Sequence, residues 1–377
     1  MVAGEASGDL LAAHLITAIK AVIPEAEFFG IGGPRMQAAG FDAWWPSEKL
    51  AVRGYIEVLR HYPEIIGIRR RLARRLLENP PTLFIGVDAP DFNLDLEVGL
   101  RAHGVRTAHF VSPSIWAWRG GRMDKISRAA EHMLCLFPFE ERLYRDAGVS
   151  ATYVGHPLAD VIPPDPDCAA ARASLGLSED ETVVALLPGS RASELQYLGE
   201  RFAAAARILA RSRPELRFVV PLTNAETEVR WNAAALTAAA GIDFIVVPRD
   251  THRALAACDA VLVASGTATL EAALFRRPMV IAYNMAGLSW RMMRPMRYQP
   301  WVGLPNILCG EFVVPEFLQE DATPANLAQS LANVLDDDAT RRRVIARFAR
   351  LHASLRQGMA GRAADALAQH FFRGRHD

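Results

Sequence analysis

VVALLPGSRASEL (residues 183–195) is the stretch on which the fold turns. Val183 to Leu187 form a short apolar run of the kind buried in a parallel sheet, Pro188-Gly189-Ser190-Arg191 make a turn, and Ser193 and Glu194 open a helix. Strand, glycine turn and helix in that order are the repeating unit of an α/β sheet. The same order recurs in CDAVLVASGTATLEAALFRRPMV (258–280), where a strand ending at Val263 runs into Ser265-Gly266-Thr267 and a helix carrying Glu271. It recurs again in LFIGVDAPDFNLDL (83–96), where Asp88 and Asp91 follow an apolar strand.

Outward from these turns, strands are expected at Glu27–Gly30, Leu83–Val87, Thr107–Val111, His132–Leu136 and Thr152–Val154. A second set is expected at Thr182–Leu187, Arg217–Val220, Ile242–Val247, Ala260–Val263 and Met279–Ala282. Helical stretches separate them, so the fold class is α/β, with two doubly wound Rossmann-like domains facing a cleft. A length of 377 residues suits two cores. GHPLADVIPPDPDC (155–168), with four prolines, reads as an interdomain linker without regular structure. The expected division is 1–160, 161–340, and a helical tail over 341–377 that packs back on the first domain or on a partner subunit.

Lys plus Arg and Asp plus Glu number 42 each, so no overall field favours nucleic acid, and an anionic ligand must be held by local groups. Cys135, Cys168, Cys258 and Cys309 are dispersed, which argues against a zinc site or a disulfide framework and suits a reducing cytosol. Asp165-Pro166-Asp167 resembles a metal motif, but solvated linker acids are the better reading, and neither metal nor cofactor is expected. No apolar run reaches the ~18 residues of a membrane span, and the opening residues lack a signal-peptide pattern. Two basic amphipathic stretches, HYPEIIGIRRRLARRLL (61–77) and LSWRMMRPMRYQPWVG (288–303), suit an anionic membrane surface. A surface helix with solvated arginines is the commoner reading of the first taken singly.

In open parallel sheets ligands collect at the carboxyl ends of strands. Gly189, Ser190 and Arg191 there present backbone N–H groups and a forked cation to a diphosphate, and Ser265, Gly266 and Thr267 form a second turn of the same kind. An ordinary strand-to-helix turn with a solvated Arg is the plainer alternative. Glu271, one turn into its helix, is placed to accept from ribose hydroxyls, although it could equally complement the helix dipole. Asp88 is the better candidate base, and Asp91 reads as a turn or first-turn acid. VSPSIWAWRGGRMDKI (111–126) places Trp116, Trp118 and Arg119 on one loop, open to acceptor contact or to plain packing. Nucleophilic hydrolase motifs and a full dinucleotide fingerprint are absent from the sequence.

The stretches AGEASGDLLAAHLI, GPRMQAAG, LAVRGYIEVL, GVDAPDFN, VSPSIWAWR, LLPGSR, ASGTATLE and LPNILCG run in order through nearly the whole chain. In them the chain closely resembles the lipid-A-disaccharide synthases, inverting glycosyltransferases of GT-B architecture. The resemblance implies transfer of 2,3-diacylglucosamine from UDP-2,3-diacylglucosamine to the 6-hydroxyl of 2,3-diacylglucosamine 1-phosphate, giving UDP and a β-linked disaccharide. It implies roles for Glu5 in the first turn, Asp88 as base, Arg191 and Glu271 at the nucleotide, and Asn306 near the diphosphate; Asn306 reads as a turn residue from its own context. Ser7 and Gly8 fall on the acceptor side. It further implies independence of metals, a peripheral place on the cytoplasmic face of the inner membrane of a Gram-negative bacterium, and a homodimer exchanging C-terminal segments, as in some members. In the family the first turn follows a strand of about five or six apolar residues. Here only Met1 to Ala3 precede it, implying an upstream start or a shortened central strand. A UDP-sugar epimerase of the same architecture and a non-catalytic membrane-bound nucleotide-sugar sensor are the competing readings.

Overall fold

A computed structural model describes residues 1–50, 55–113, 122–285 and 300–372, with side chains described from Tyr62 onward in the second of these segments. The chain divides into two compact units, Met1–Asp160 with Leu355–Asp377, and Val161–Ser354.

The first unit holds seven strands: β1 (Val2–Ala3), β2 (Phe28–Gly32), β3 (Phe41–Pro46), β4 (Phe84–Val87), β5 (Thr107–Phe110), β6 (His132–Cys135) and β7 (Ala151–Tyr153). Their order is β3-β2-β1-β4-β5-β6-β7, all parallel. β1 is short but paired on both sides, Val2 with Ile31 and Gly86 and Ala3 with Val87. An apolar cavity of about 750 Å³ adjoins Met1, between Phe28 and Phe29 of β2 and Phe84 and Ile85 of β4. One face of the sheet is covered by the helix Ala6–Val22, through Leu11, Leu15 and Ile16, and by the last helix, Met359–Leu367, through Ala363 and Leu367. Against the other face pack Ile68, Leu72 and Leu76 of the helix Tyr55–Glu78, with Phe92, Leu96 and Leu100 of the helix Pro90–Arg101.

The second unit holds β8 (Val183–Leu187), β9 (Arg217–Leu222), β10 (Phe244–Pro248), β11 (Ala260–Ala264), β12 (Met279–Tyr283) and β13 (Glu316–Leu318), in the parallel order β10-β9-β8-β11-β12-β13. Every residue of β8 and β11 is buried, because helices cover both faces of a parallel sheet. The architecture is GT-B: two parallel-sheet α/β units in one chain.

Three local expectations change. The proline-rich stretch contains the helix Pro157–Val161, which proline permits at its first position, and the helix Cys168–Ser174, whose N-cap Asp167 accepts from the Ala170 amide at 2.9 Å. β3 and β13 are edge strands that the sequence reading does not contain. The helical tail is divided: Asp338–Leu355 buries Val344, Phe348 and Leu351 in the second unit, where His352 Nδ1 lies 3.1 Å from the Leu274 carbonyl. Only the segment from Leu355 onward belongs to the first unit, where Asp160 accepts from the Gly358 and Met359 amides at 2.9 and 2.7 Å.

Candidate active site

In each sheet the strand order reverses at one point, between β1 and β4 in the first and between β8 and β11 in the second. Loops from adjacent strands leave in opposite directions there and open a crevice at the carboxyl edge. Most of the residues singled out from sequence follow these four strands; Asn306 lies between β12 and β13.

After β1 come Gly4 and Glu5. Glu5 is exposed at the N-cap of the helix Ala6–Val22 with extended backbone, Ser7 is exposed beside it, and Gly8 is buried against Ala3 and the Val87 carbonyl. Asp9 points inward, accepting from the amides of Gly33, Arg35 and Met36 at 3.0 to 3.1 Å, and so anchors the loop after β2. After β4, Asp88 is partly exposed at the head of the turn. Asp88 (φ 53°) and Ala89 (φ 44°) are both left-handed, as is Val111 (φ 79°) at the end of neighbouring β5. Three such non-glycine residues on one sheet edge are a concentration of backbone strain of the kind found at functional sites. Asp91 is an exposed first-turn acid paired with Arg122. Trp116, Trp118 and Arg119 lie outside the described residues, as do residues 286–299.

After β8, Gly189 (φ 129°) turns the chain so that Glu194 folds back and accepts from the Ser190 and Arg191 amides at 2.7 and 3.2 Å. This corrects the expectation of free amides at that turn: a helix-start carboxylate already holds them, as in a capping box. Its consequence is that the Arg191 side chain, 73% exposed, is presented outward, with Glu194 Oε1 3.6 Å away. After β11, Gly266 and Thr267 are exposed, and Ser265 Oγ donates to the Val302 carbonyl at 3.1 Å. Glu271 is mostly buried, and that burial raises its carboxyl above the usual range. His252, after β10, places Nε2 3.7 Å from Glu271 Oε2, and burial lowers its imidazole. The sequence reading misses His252, which Asp250, the cap of its helix, could have signalled.

Asn306 is fully buried. Its Nδ2 donates to the Val314 carbonyl at 2.8 Å and to Glu316 Oε1 at 2.7 Å, and its Oδ1 accepts from the Val313 and Val314 amides at 2.7 and 3.0 Å. All its hydrogen-bonding capacity is engaged inside the loop. Glu316 also accepts from the Val302 and Gly303 amides, so Asn306 and Glu316 together shape the segment that Ser265 touches.

Among the described residues no group of three or more metal-ligating side chains converges, and no helix is long and apolar enough to cross a membrane. The apolar side of the helix Tyr55–Glu78 faces the core, and Arg70, Arg71, Arg74 and Arg75 remain exposed. The second basic stretch lies largely outside the described residues.

A model of the lipid-A-disaccharide synthetase family matches residues 1–370. Relatives named lipid-A-disaccharide synthase include one from Aromatoleum aromaticum, 56% identical over 368 residues (97% of this chain, 94% of the relative), and one from Methylobacillus flagellatus, 50% identical over 369 residues (97% of each). Among solved structures the chain resembles Anabaena HepE in complex with UDP and glucose (TM-score 0.55, 14% identity, 98% and 97% of the two chains). It also resembles the Neisseria meningitidis UDP-GlcNAc 2-epimerase bound to UDP-GlcNAc (TM-score 0.58, 10% identity, 97% and 98%). At such identities these two likenesses speak for the fold alone.

Proposed function

The chain belongs to the lipid-A-disaccharide synthase family and is a glycosyltransferase of that activity, and from this premise we propose how its residues divide the reaction. The epimerase and sensor readings give way to the family assignment. The observation that supports the division is that the turns carrying Glu5 and Asp88, and those carrying Arg191 and Thr267, follow the strands at the two points where strand order reverses.

The donor is a UDP-sugar, UDP-2,3-diacylglucosamine, held by the second unit. Arg191 meets the diphosphate with its outward guanidinium, Gly266 and Thr267 contribute the helix start, and Glu271, with His252 beside it, receives the ribose hydroxyls. Glu194 and Asn306 act on ligand geometry indirectly, by fixing the turn on which Arg191 sits and the segment that Ser265 touches. The acceptor is 2,3-diacylglucosamine 1-phosphate, on the side of the first unit that carries Glu5, Ser7 and Gly8, with Trp116, Trp118 and Arg119, outside the described residues, proposed as further acceptor contacts. Asp88 takes the proton of the acceptor hydroxyl as that oxygen attacks the anomeric carbon opposite the departing UDP, which inverts the configuration. Glu5, on the adjacent turn, orients the acceptor. Arg191 stabilises the charge that builds on the leaving diphosphate.

The exposed arginines of the helix Tyr55–Glu78 supply attraction to an anionic bilayer on the cytoplasmic face of the inner membrane, where both lipid substrates reside. A homodimer exchanging C-terminal segments belongs to the same reading.

An assay with both lipid substrates tests the division. Disaccharide and UDP should form in equal amounts, and Asp88→Asn should lower turnover by ~100-fold or more while UDP affinity stays near normal. Arg191→Ala should instead weaken UDP binding in calorimetry. An Asp88→Asn enzyme with most of its activity would remove Asp88 from the role of base, and an Arg191→Ala enzyme with unchanged UDP affinity would remove Arg191 from the donor site.

A further inference from the structure

Asp88 stands on backbone that residues bearing a Cβ rarely adopt, and so does Ala89 behind it. The surroundings fix that turn from three sides. The Asp88 amide donates to the Phe110 carbonyl of β5 at 2.8 Å, and the amides of Phe92 and Asn93 both donate to the Ala89 carbonyl at 3.0 Å. Asn93 closes the third side: its Nδ2 donates to the Asp88 carbonyl at 2.8 Å and to the Val2 carbonyl at 3.3 Å. One fully buried amide therefore ties β1 to the turn after β4, the two strands at the reversal point.

One helical turn beyond Asn93, Glu97 Oε1 meets His109 Nδ1 of β5 at 2.8 Å, with both side chains fully buried. Gly86, paired across the sheet with His109, makes room for them: a Cβ at Gly86 would overlap Glu97 Oε1 and crowd Asn93. Burial alone would push the His109 imidazole down, but the Glu97 carboxylate, with Asp88 adding to it, holds it above its ordinary value. Asn93 Oδ1, Glu97 Oε2 and His109 Nε2 find no partner among the described protein atoms. Apolar side chains of similar size would fill this space with less desolvation cost, so stability alone does not account for the cluster.

We infer that Asn93 is a positioning residue for Asp88, braced by the buried Glu97–His109 pair, and that this cluster holds the left-handed turn that presents the Asp88 carboxylate to the acceptor hydroxyl. The inference rests on Asp88 as base. Small misplacements of a reacting group are costly, up to roughly 100-fold for about 1 Å.

A kinetic cycle tests it. Asn93→Ala should lower kcat by ~10- to 100-fold, with the KM for the UDP-sugar and the calorimetric UDP affinity unchanged, because the donor turns belong to the other sheet. In the Asp88→Asn background the same change should cost nothing further. Losses that multiply in the double variant, or an Asn93→Ala enzyme with wild-type kcat, would overturn the inference while leaving Asp88 as base; an active Asp88→Asn enzyme would overturn both. Should Asn93→Ala fail to fold by circular dichroism, His109 gives a second route. His109→Asn keeps a donor where Nδ1 stands and should retain more of kcat than His109→Leu at equal UDP affinity. Equal kcat in those two variants speaks against the brace.

Discussion

At the scale of single residues, Gly189 shows how backbone freedom and side-chain placement combine. Its φ of 129° suits glycine, and a Cβ there would overlap the Glu194 side chain that caps the turn. Gly189→Ala should destabilise the protein by about 1–3 kcal/mol and should also weaken UDP binding by displacing the turn that carries Arg191. Thermal melts and calorimetry check both effects, and a variant matching wild type in each would show that the turn tolerates a side chain. Residue identities at this edge were legible in sequence because strand-turn-helix punctuation marks them. Which atoms were free was not legible. The Ser190 and Arg191 amides belong to Glu194, and the amide of Asn306 is consumed within its own loop. Hydrogen-bond partners depend on how the chain folds back on itself, and residue type alone does not fix them.

At the scale of elements, the helix Tyr55–Glu78 separates two uses of one amphipathic pattern. A stripe of apolar residues and a stripe of arginines suit a membrane surface and a buried surface helix alike. The fold assigns Ile68, Leu72 and Leu76 to the core beside Phe84 and Phe92, and among the described side chains Tyr62 and the arginines at 70, 71, 74 and 75 remain exposed for a bilayer. Leu72→Ala should therefore cost about 2–5 kcal/mol of stability. Reversing charge at Arg70, Arg71 and Arg74 together should leave the melting temperature nearly unchanged but reduce sedimentation with anionic vesicles. Undiminished vesicle binding would take this helix out of the membrane contact. Central strands were visible as continuous apolar runs because both their faces are covered. β3 and β13 were not, since an edge strand such as Phe41–Pro46, only partly buried along most of its length, lacks that signature.

At the scale of the whole molecule, the first helix and the helical segment Met359–Phe372 pack together in the first unit. The helix Met359–Leu367 and the helical turn Ala368–Phe372 after it share one buried cluster, through Ala363, Leu367 and Phe371, with Leu11, Leu15 and Ile16, and Arg106 holds that turn by donating to the Phe371 carbonyl at 3.0 Å. His370 stacks on His132 at 4.4 Å between ring centroids. Burial, with His370 adding to it, lowers His132 from 6.5 to about 4. Neutral His132 is thus favoured in the folded state: its contribution is whole above pH ~6.5 and is lost as pH falls toward 4, by at most roughly 3 kcal/mol. Urea midpoints measured across that window should decline less for His132→Gln than for wild type. Parallel declines would assign the acid sensitivity to other groups.

The sequence by itself determined the α/β class, the central strands, the turns at their carboxyl ends, and a family resemblance carried by those same turns, since periodicity and glycine placement are local properties written in order along the chain. Only the tertiary structure decided the strand order that makes neighbours of the strands preceding Glu5 and Asp88, and of those preceding Arg191 and Thr267, the split of the tail between two units, and the buried Asn93–Glu97–His109 cluster. These depend on contacts between residues far apart in the chain, such as Asn93 with Val2 and Asp160 with Gly358. Burial and partner choice in the folded chain set them, and no local pattern encodes either.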